Sequence, residues 1–181
     1  PIDLNHGHQQ TLVGMTTFEV IHEDIINELT QMYPLIRNLV KEDQPIIEMG
    51  FKKWAENIIA NGVPHNNWDL FQADFIVKIA LILQDNQAYA DGKGKQYYLD
   101  YVVNQNSIRQ WSLNKLIDFG FDQKAKIWYE SPGHSTTVLS TLCDFANMLD
   151  EKAGIDMFKL RPILIDGVKT SAEYLFPNRM I

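Results

Sequence analysis

Apolar positions recur along most of this chain with the period of a helix. From Gln9 to about Ile21 they fall at Leu12, Val13, Met15, Phe18 and Ile21, which predicts a first helix. Ile25, Ile26, Leu29 and Met32 carry the pattern to Pro34, with Asp24 as a cap between the two segments and a short helix over Leu35 to Val40. After the polar turn Lys41-Glu42-Asp43-Gln44, Pro45 suits a first helical position. Ile46, Ile47, Met49, Phe51, Trp54, Ile58 and Ile59 then predict a long amphipathic helix that stops at Asn61-Gly62.

The most hydrophobic run is Leu70 to Leu83, interrupted only by Gln72, Asp74 and Lys78. A helix that is apolar nearly all round belongs inside a protein, so a buried helix is predicted from Trp68 to about Gln84. Asn66 or Asn67 can cap its first turn, and Asp69 suits the positive end of its dipole. Tyr89 begins another helical segment, broken at Asp91-Gly92-Lys93-Gly94 and resumed through Tyr97, Tyr98, Tyr101 and Val102. Asn106 or Ser107 then caps a helix that holds Ile108, Trp111, Leu113, Leu116 and Ile117 and ends at Gly120.

Phe121 to Glu130 reads as non-helical, with a turn at Asp122-Gln123-Lys124 and a short extended Ile127-Trp128-Tyr129. Ser131-Pro132 opens the next helix, Ser as cap and Pro at the first position, and that helix ends before Gly154. Ile155 to Leu160 is a short helix. Ile163-Leu164-Ile165 fits either a strand or the start of a last helix running to Leu175. The sum is about eight helices on short connections, an all-α fold in a single domain over 1–181.

Composition narrows the function classes. The net charge is −7, against a broad basic face for nucleic acid. No apolar run reaches the ~18 residues of a membrane span. The single cysteine, Cys143, leaves no internal disulfide and sits in an apolar helical pattern, as a small core residue does. Pro1 opens the chain without a signal peptide, and Phe176 to Ile181 closes it on an apolar stretch; both ends read as cuts through a longer protein.

Two helix starts carry unusual polar groups: His65-Asn66-Asn67-Trp68 and Trp128-Tyr129-Glu130-Ser131-Pro132-Gly133-His134. Free N–H groups at a helix start favour an anionic ligand. Trp68 and Trp128 suit the apolar face of a sugar ring, and His134 and Tyr129 can move protons. An Asn amide can bind a carboxylate without adding charge. Together they suit β-elimination in a uronic-acid polysaccharide. Asn67 mutes the substrate carboxylate, while His134 and Tyr129 share the base and acid roles. His65, Asn66, Trp68, Gln72, Trp128 and Glu130 are the candidate substrate-binding residues. Each also has a plainer reading as a cap, a core side chain or a solvated acid. His6 and His8 have the look of two metal ligands without an evident third, so no metal or other cofactor is expected.

Three stretches carry a resemblance. Pro64-His65-Asn66-Asn67-Trp68-Asp69-Leu70-Phe71-Gln72, Ile108-Arg109-Gln110-Trp111-Ser112 and Trp128-Tyr129-Glu130-Ser131-Pro132-Gly133-His134-Ser135 resemble the helical domain of heparinase II/III-like and alginate-lyase-like proteins. The similarity extends to Tyr174-Leu175-Phe176-Pro177-Asn178. It implies an incomplete (α/α) toroid, with a β-sandwich domain to follow, in a periplasmic or secreted lyase that takes an acidic polysaccharide; the composition adds the expectation of no nucleic acid or membrane partner. The family's carboxylate-neutralising Asn falls on Asn67. Its catalytic Tyr falls on His134, a departure from the pattern, with Tyr129 nearby. Two other readings stand beside it. One is an inverting glycoside hydrolase using Asp69 and Glu130, which must face a sugar across about 6.5–9.5 Å. The other is a non-catalytic carbohydrate-binding fragment.

Overall fold

The computed structural model describes residues 9–10, 15–16, 25–64 and 67–173. The chain forms two compact units, Pro1–Leu113 and Asn114–Ile181, where one domain is expected from the sequence. Among the described residues the structure is helical, apart from one two-residue strand pair and one isolated β-bridge.

The strand pair corrects the first predicted helix. β1 (Gln9–Gln10) pairs antiparallel with β2 (Met15–Thr16), in the register Gln9↔Thr16 and Gln10↔Met15. The intervening and following sequence is rich in Thr and Val, whose branched side chains favour extended backbone over helix. The rest of that predicted helix, Asp24, His6 and His8 lie outside the described residues.

The first unit is built round α3 (Asn67–Ile82), which packs against α1 (Ile25–Ile36), α2 (Gln44–Asn61) and α4 (Lys95–Asn104). Ten of its sixteen residues are buried, so it is covered on all sides as its composition predicts. Leu70, Ile76 and Ile79 are fully enclosed, each contributing about 1.5–3 kcal/mol of burial. Its polar residues are paired. Lys78 Nζ donates to Asp74 Oδ2 at 2.5 Å and to Asn27 Oδ1 on α1 at 2.7 Å. Burial pushes the Asp74 carboxyl above its ordinary value, and the Lys78 charge only partly opposes that.

α1 runs through Pro34 and ends at Ile36, so the predicted break at Pro34 does not occur. Hydrogen-bonded turns replace the short helix expected over 35–40, with Leu39 N and Val40 N both donating to Ile36 O. Pro34 lies in the last turn, so the one ladder bond its missing N–H removes falls where only two more helical residues follow. α2 begins with Pro45 in its first turn, and Gly62 N–H closes it on Ile58 O at 2.8 Å. Gly62 has ordinary extended backbone (φ −65°, ψ 172°). Its reason is close approach: a Cβ there lies 2.5 Å from Gln72 Nε2 and 2.7 Å from Arg109 O.

Between α3 and α4 lies a single 3-10 turn, Asn86–Ala88, so the predicted helix start at Tyr89 is not found. Gly94 is the N-cap of α4 and has no side chain to cap with. Asn86 Oδ1 does this from a distance, accepting Gly94 N at 3.0 Å and Tyr97 N at 2.9 Å.

The helix expected to contain Ile108 and Trp111 begins only at Leu113 (α5, Leu113–Gly120). Over 109–112 the backbone N–H groups are taken by side chains instead. Ser107 Oγ accepts Arg109 N at 3.0 Å and Gln110 N at 2.9 Å, and Asn106 Oδ1 accepts Ser112 N at 3.0 Å. Asn and Ser offer the backbone this alternative to a helix, which is why the cap is present and the helix is not.

In the second unit, α6 (Pro132–Ala153) packs against α7 (Met157–Leu160) and α8 (Ile163–Glu173). Of the two readings for Ile163, the helix is the one found. Ser131 is the N-cap by backbone position, but its side chain makes no capping bond. Gly154 ends α6 in the left-handed conformation (φ 68°), and its N–H returns to Asp150 O at 2.9 Å, the closing bond of an αL cap.

Candidate functional site

At the start of α3, Asn67 is the first helical residue, and both Asn67 and Trp68 are half-buried. His65 and Asn66 lie outside the described residues. The next two polar side chains turn inward. Asp69 is fully buried, and both its oxygens accept the backbone N–H of Trp111 at 3.2 Å. Gln72, also fully buried, accepts Val63 N at 2.7 Å and donates to Gln110 Oε1 at 2.7 Å. Gln110 in turn donates to Asp69 O at 3.1 Å. Gln72 therefore fastens the connection ahead of α3 to the 105–112 segment and presents nothing to a ligand, contrary to its expected substrate-binding role. Asp69 is held in the same way, which removes one of the two carboxylates of the hydrolase reading.

The second helix start is arranged differently. Phe121 and Trp128 form an isolated antiparallel bridge, and their rings meet edge to face at 5.5 Å. Between them Asp122 Oδ1 accepts Lys124 N at 2.8 Å and Ala125 N at 2.7 Å, closing the turn. Trp128 is only 4 % exposed and lies against Gly120, so its ring is a core element and not the sugar platform expected from the sequence. Tyr129, the next residue on the opposite face, is 65 % exposed. Its hydroxyl donates to Asp122 Oδ2 at 3.2 Å. That hydrogen bond, with the carboxylate's charge behind it, raises the Tyr129 pKa, so the phenol holds its proton more firmly than a free tyrosine. The same contacts, led by the Ala125 and Lys124 N–H groups, lower the Asp122 pKa. Glu130 and His134 are exposed, His134 in the first turn of α6.

No family model, curated protein or solved structure matches this chain. Its chemistry is therefore read from its own side chains.

The sequence-predicted residues fall into two groups. Tyr129, Glu130 and His134 share the start of α6 in the second unit, whereas Asn67 and Trp68 open α3 in the first. Among the described residues no cluster of three or more His, Cys, Asp or Glu is placed to hold a metal ion, and no helix is long and apolar enough to cross a membrane.

Sequence reasoning passes over the polar face of α2. Glu48 is 1 % exposed and gathers five donors. Oε1 accepts from Tyr33 Oη at 3.2 Å, Arg37 at 2.9 Å and Gln44 Nε2 at 2.9 Å. Oε2 accepts from Gln84 Nε2 at 3.0 Å and Tyr89 Oη at 2.7 Å. Burial raises the Glu48 pKa, but the bonds from Gln84, Tyr89 and Gln44 and the Arg37 charge outweigh it, and the net shift is downward. The Arg37 guanidinium also donates to Ile82 O, at the C-terminal end of α3. Glu48, Lys52 and Glu56 stand four apart, the one signal in the sequence for a charged face on this helix.

Proposed function

We propose that this chain is a polysaccharide lyase, cleaving a uronic-acid polymer such as alginate or a heparin/heparan-like glycosaminoglycan by β-elimination. The observation that carries the reading is the pairing of exposed Tyr129 with Asp122, five residues before exposed His134. The family resemblance adds the roles, the incomplete (α/α) toroid and the periplasmic or secreted setting.

In the proposed reaction a base takes the proton from the carbon that bears the carboxylate. The electron pair left behind forms the new C=C bond as the neighbouring C–O bond breaks. The leaving sugar oxygen then takes a proton from an acid, and the product carries an unsaturated uronate. An imidazole has a free lone pair when neutral, so His134 is the base. Asp122 favours the protonated phenol, so Tyr129 is the acid. The resemblance assigns Asn67, at the start of α3 in the first unit, the carboxylate-neutralising role, a contact of the kind that strengthens as charge builds in the transition state. Glu130 accepts from sugar hydroxyls, and Asn66, His65 and Trp68 belong to the same motif as Asn67.

The test is ultraviolet absorbance of the unsaturated product on alginate, heparan sulfate and other uronic-acid polymers. Native protein produces it, and Asn67→Ala loses about 10²–10³ in rate. Asn67 is the first helical residue and not the cap, so its melting temperature stays close to native. Absence of unsaturated product on every uronic-acid polymer overturns the assignment, and new reducing ends without that absorbance favour a hydrolase.

A further inference from the structure

A cavity of ≈ 450 Å³ opens beside α2 in the first unit, and Asn67, Tyr129 and His134 take no part in its lining. α2 supplies Lys52, Lys53, Glu56 and Asn57, and the segment before α4 supplies Asp91 and Lys93. Three ammonium groups thus face two carboxylates, a local positive excess on a chain whose net charge is −7.

Most of these charges are fixed. Lys52 Nζ donates to Asp91 Oδ1 at 2.7 Å and lies 4.1 Å from the centre of the Tyr89 ring. Lys93 Nζ donates to Glu56 Oε1 at 2.9 Å, and Tyr98 Oη donates to the same oxygen at 2.9 Å. Two donors remain outside this lattice of pairs. Lys53 is exposed and makes no ion pair among the described residues. Asn57 accepts Asn61 Nδ2 at 2.7 Å, while its own enclosed Nδ2 has no hydrogen-bond partner. Lys53, Asn57 and Asn61 are spaced four apart, so all three lie along one face of α2.

We infer that this cavity binds a small sugar acid, a ring carrying hydroxyls and one carboxylate. Lys53 and the Asn57 amide supply the donors that a carboxylate needs. Glu56 and Asp91 accept from hydroxyls, and those two carboxylates repel a compact dianion such as phosphate. A neutral sugar leaves Lys53 unmatched, and a cation meets three ammonium groups. Met49 and Ala60 add an apolar wall for the ring, and the volume lies in the range of small-molecule sites, ~300–1,000 Å³. The site stands apart from the lyase reading, because binding here needs no turnover.

The experiment is an NMR amide-shift titration of the whole protein with glucuronate, glucose and inorganic phosphate. Glucuronate moves the amides of Lys53, Asn57 and Lys93 saturably, and glucose and phosphate bind at least tenfold more weakly. Lys53→Ala, an exposed change that leaves the fold intact, weakens glucuronate at least tenfold, and Lys53→Arg restores most of the loss. The inference is overturned if those amides do not move, if phosphate binds as well as glucuronate, if Lys53→Ala binds as the native protein does, or if the shifts gather at Asn67, Tyr129 or His134 instead.

Discussion

The side-chain amide of Gln72 donates to Gln110 Oε1 at 2.7 Å, and both residues are fully buried. They are 38 positions apart, one on α3 and the other in the non-helical stretch before α5. Removing Gln72 strands the Gln110 oxygen away from water and takes the acceptor from the half-buried Val63 N–H. Each stranded group costs about 1–3 kcal/mol. Gln72→Ala is expected to lose at least ~2 kcal/mol in urea unfolding while leaving the affinity for any sugar unchanged. A weakened sugar affinity at native stability would restore the binding role its sequence position suggests.

Glu48 makes the first unit sensitive to acid. Its folded pKa lies below the ordinary value of 4.5, so its stabilisation is fully present above that pH. It is lost as the pH falls through the folded value, below about pH 4.5. Urea unfolding at pH 7 and at pH 3 should show a steep decline for native protein and a shallower one for Glu48→Gln. At pH 7, Glu48→Ala leaves Arg37 and two tyrosine hydroxyls without their acceptor, and a loss of about 3–5 kcal/mol is expected.

Gly120→Ala tests the packing behind Tyr129. A Cβ there lies 2.1 Å from the Trp128 ring, far inside contact distance. The indole must move, and with it the edge-to-face contact on Phe121. The expected cost is about 1–3 kcal/mol or more, with a changed tryptophan signal in near-ultraviolet circular dichroism. An unchanged spectrum and unchanged stability refute this packing.

The assignment of base and acid makes opposite demands on two variants. Tyr129→Phe removes the proposed acid, so lysis falls about 10²–10⁴-fold, least for substrates with good leaving groups. His134→Tyr replaces an imidazole with a phenol, whose ordinary pKa is several units higher, about 10 against 6.5. Remaining activity should then shift to more alkaline pH. A pH profile for His134→Tyr that overlays the native one excludes His134 as the base.

What could be read in advance depended on distance along the chain. The burial of α3 was legible because ten inward residues leave no polar stripe, and both ends of α6 were legible from Ser131-Pro132 and Gly154. The same periodicity misled at Ile108 and Trp111, where Asn106 and Ser107 carry the signature of a cap but spend it on a non-helical stretch. Gln72 closes the Pro64–Gln72 motif and so was a substrate-binding candidate, yet its partner comes from a distant segment that no local pattern announces. Glu48 was missed for the same reason, since Tyr89 and Gln84 reach it from 41 and 36 positions away. Trp128 and Tyr129 are neighbours whose side chains part to opposite faces, and only the bridge to Phe121 decides which one faces solvent.

The stretch 105–112 has one more property, visible on a timescale of minutes to hours. Its amides at Arg109, Gln110, Trp111 and Ser112 are held by Ser107, Asp69 and Asn106 side chains. Asp69 sits on the most enclosed helix of the unit, so the Trp111 amide can meet deuterated solvent only when that helix lets go. Trp111 should therefore exchange in step with the interior of α3, whereas Arg109, held only by Ser107 two residues away, should exchange much sooner. The boundary between slow and fast hydrogen exchange then falls inside a loop, at the point where its anchors pass from neighbours in the chain to the core.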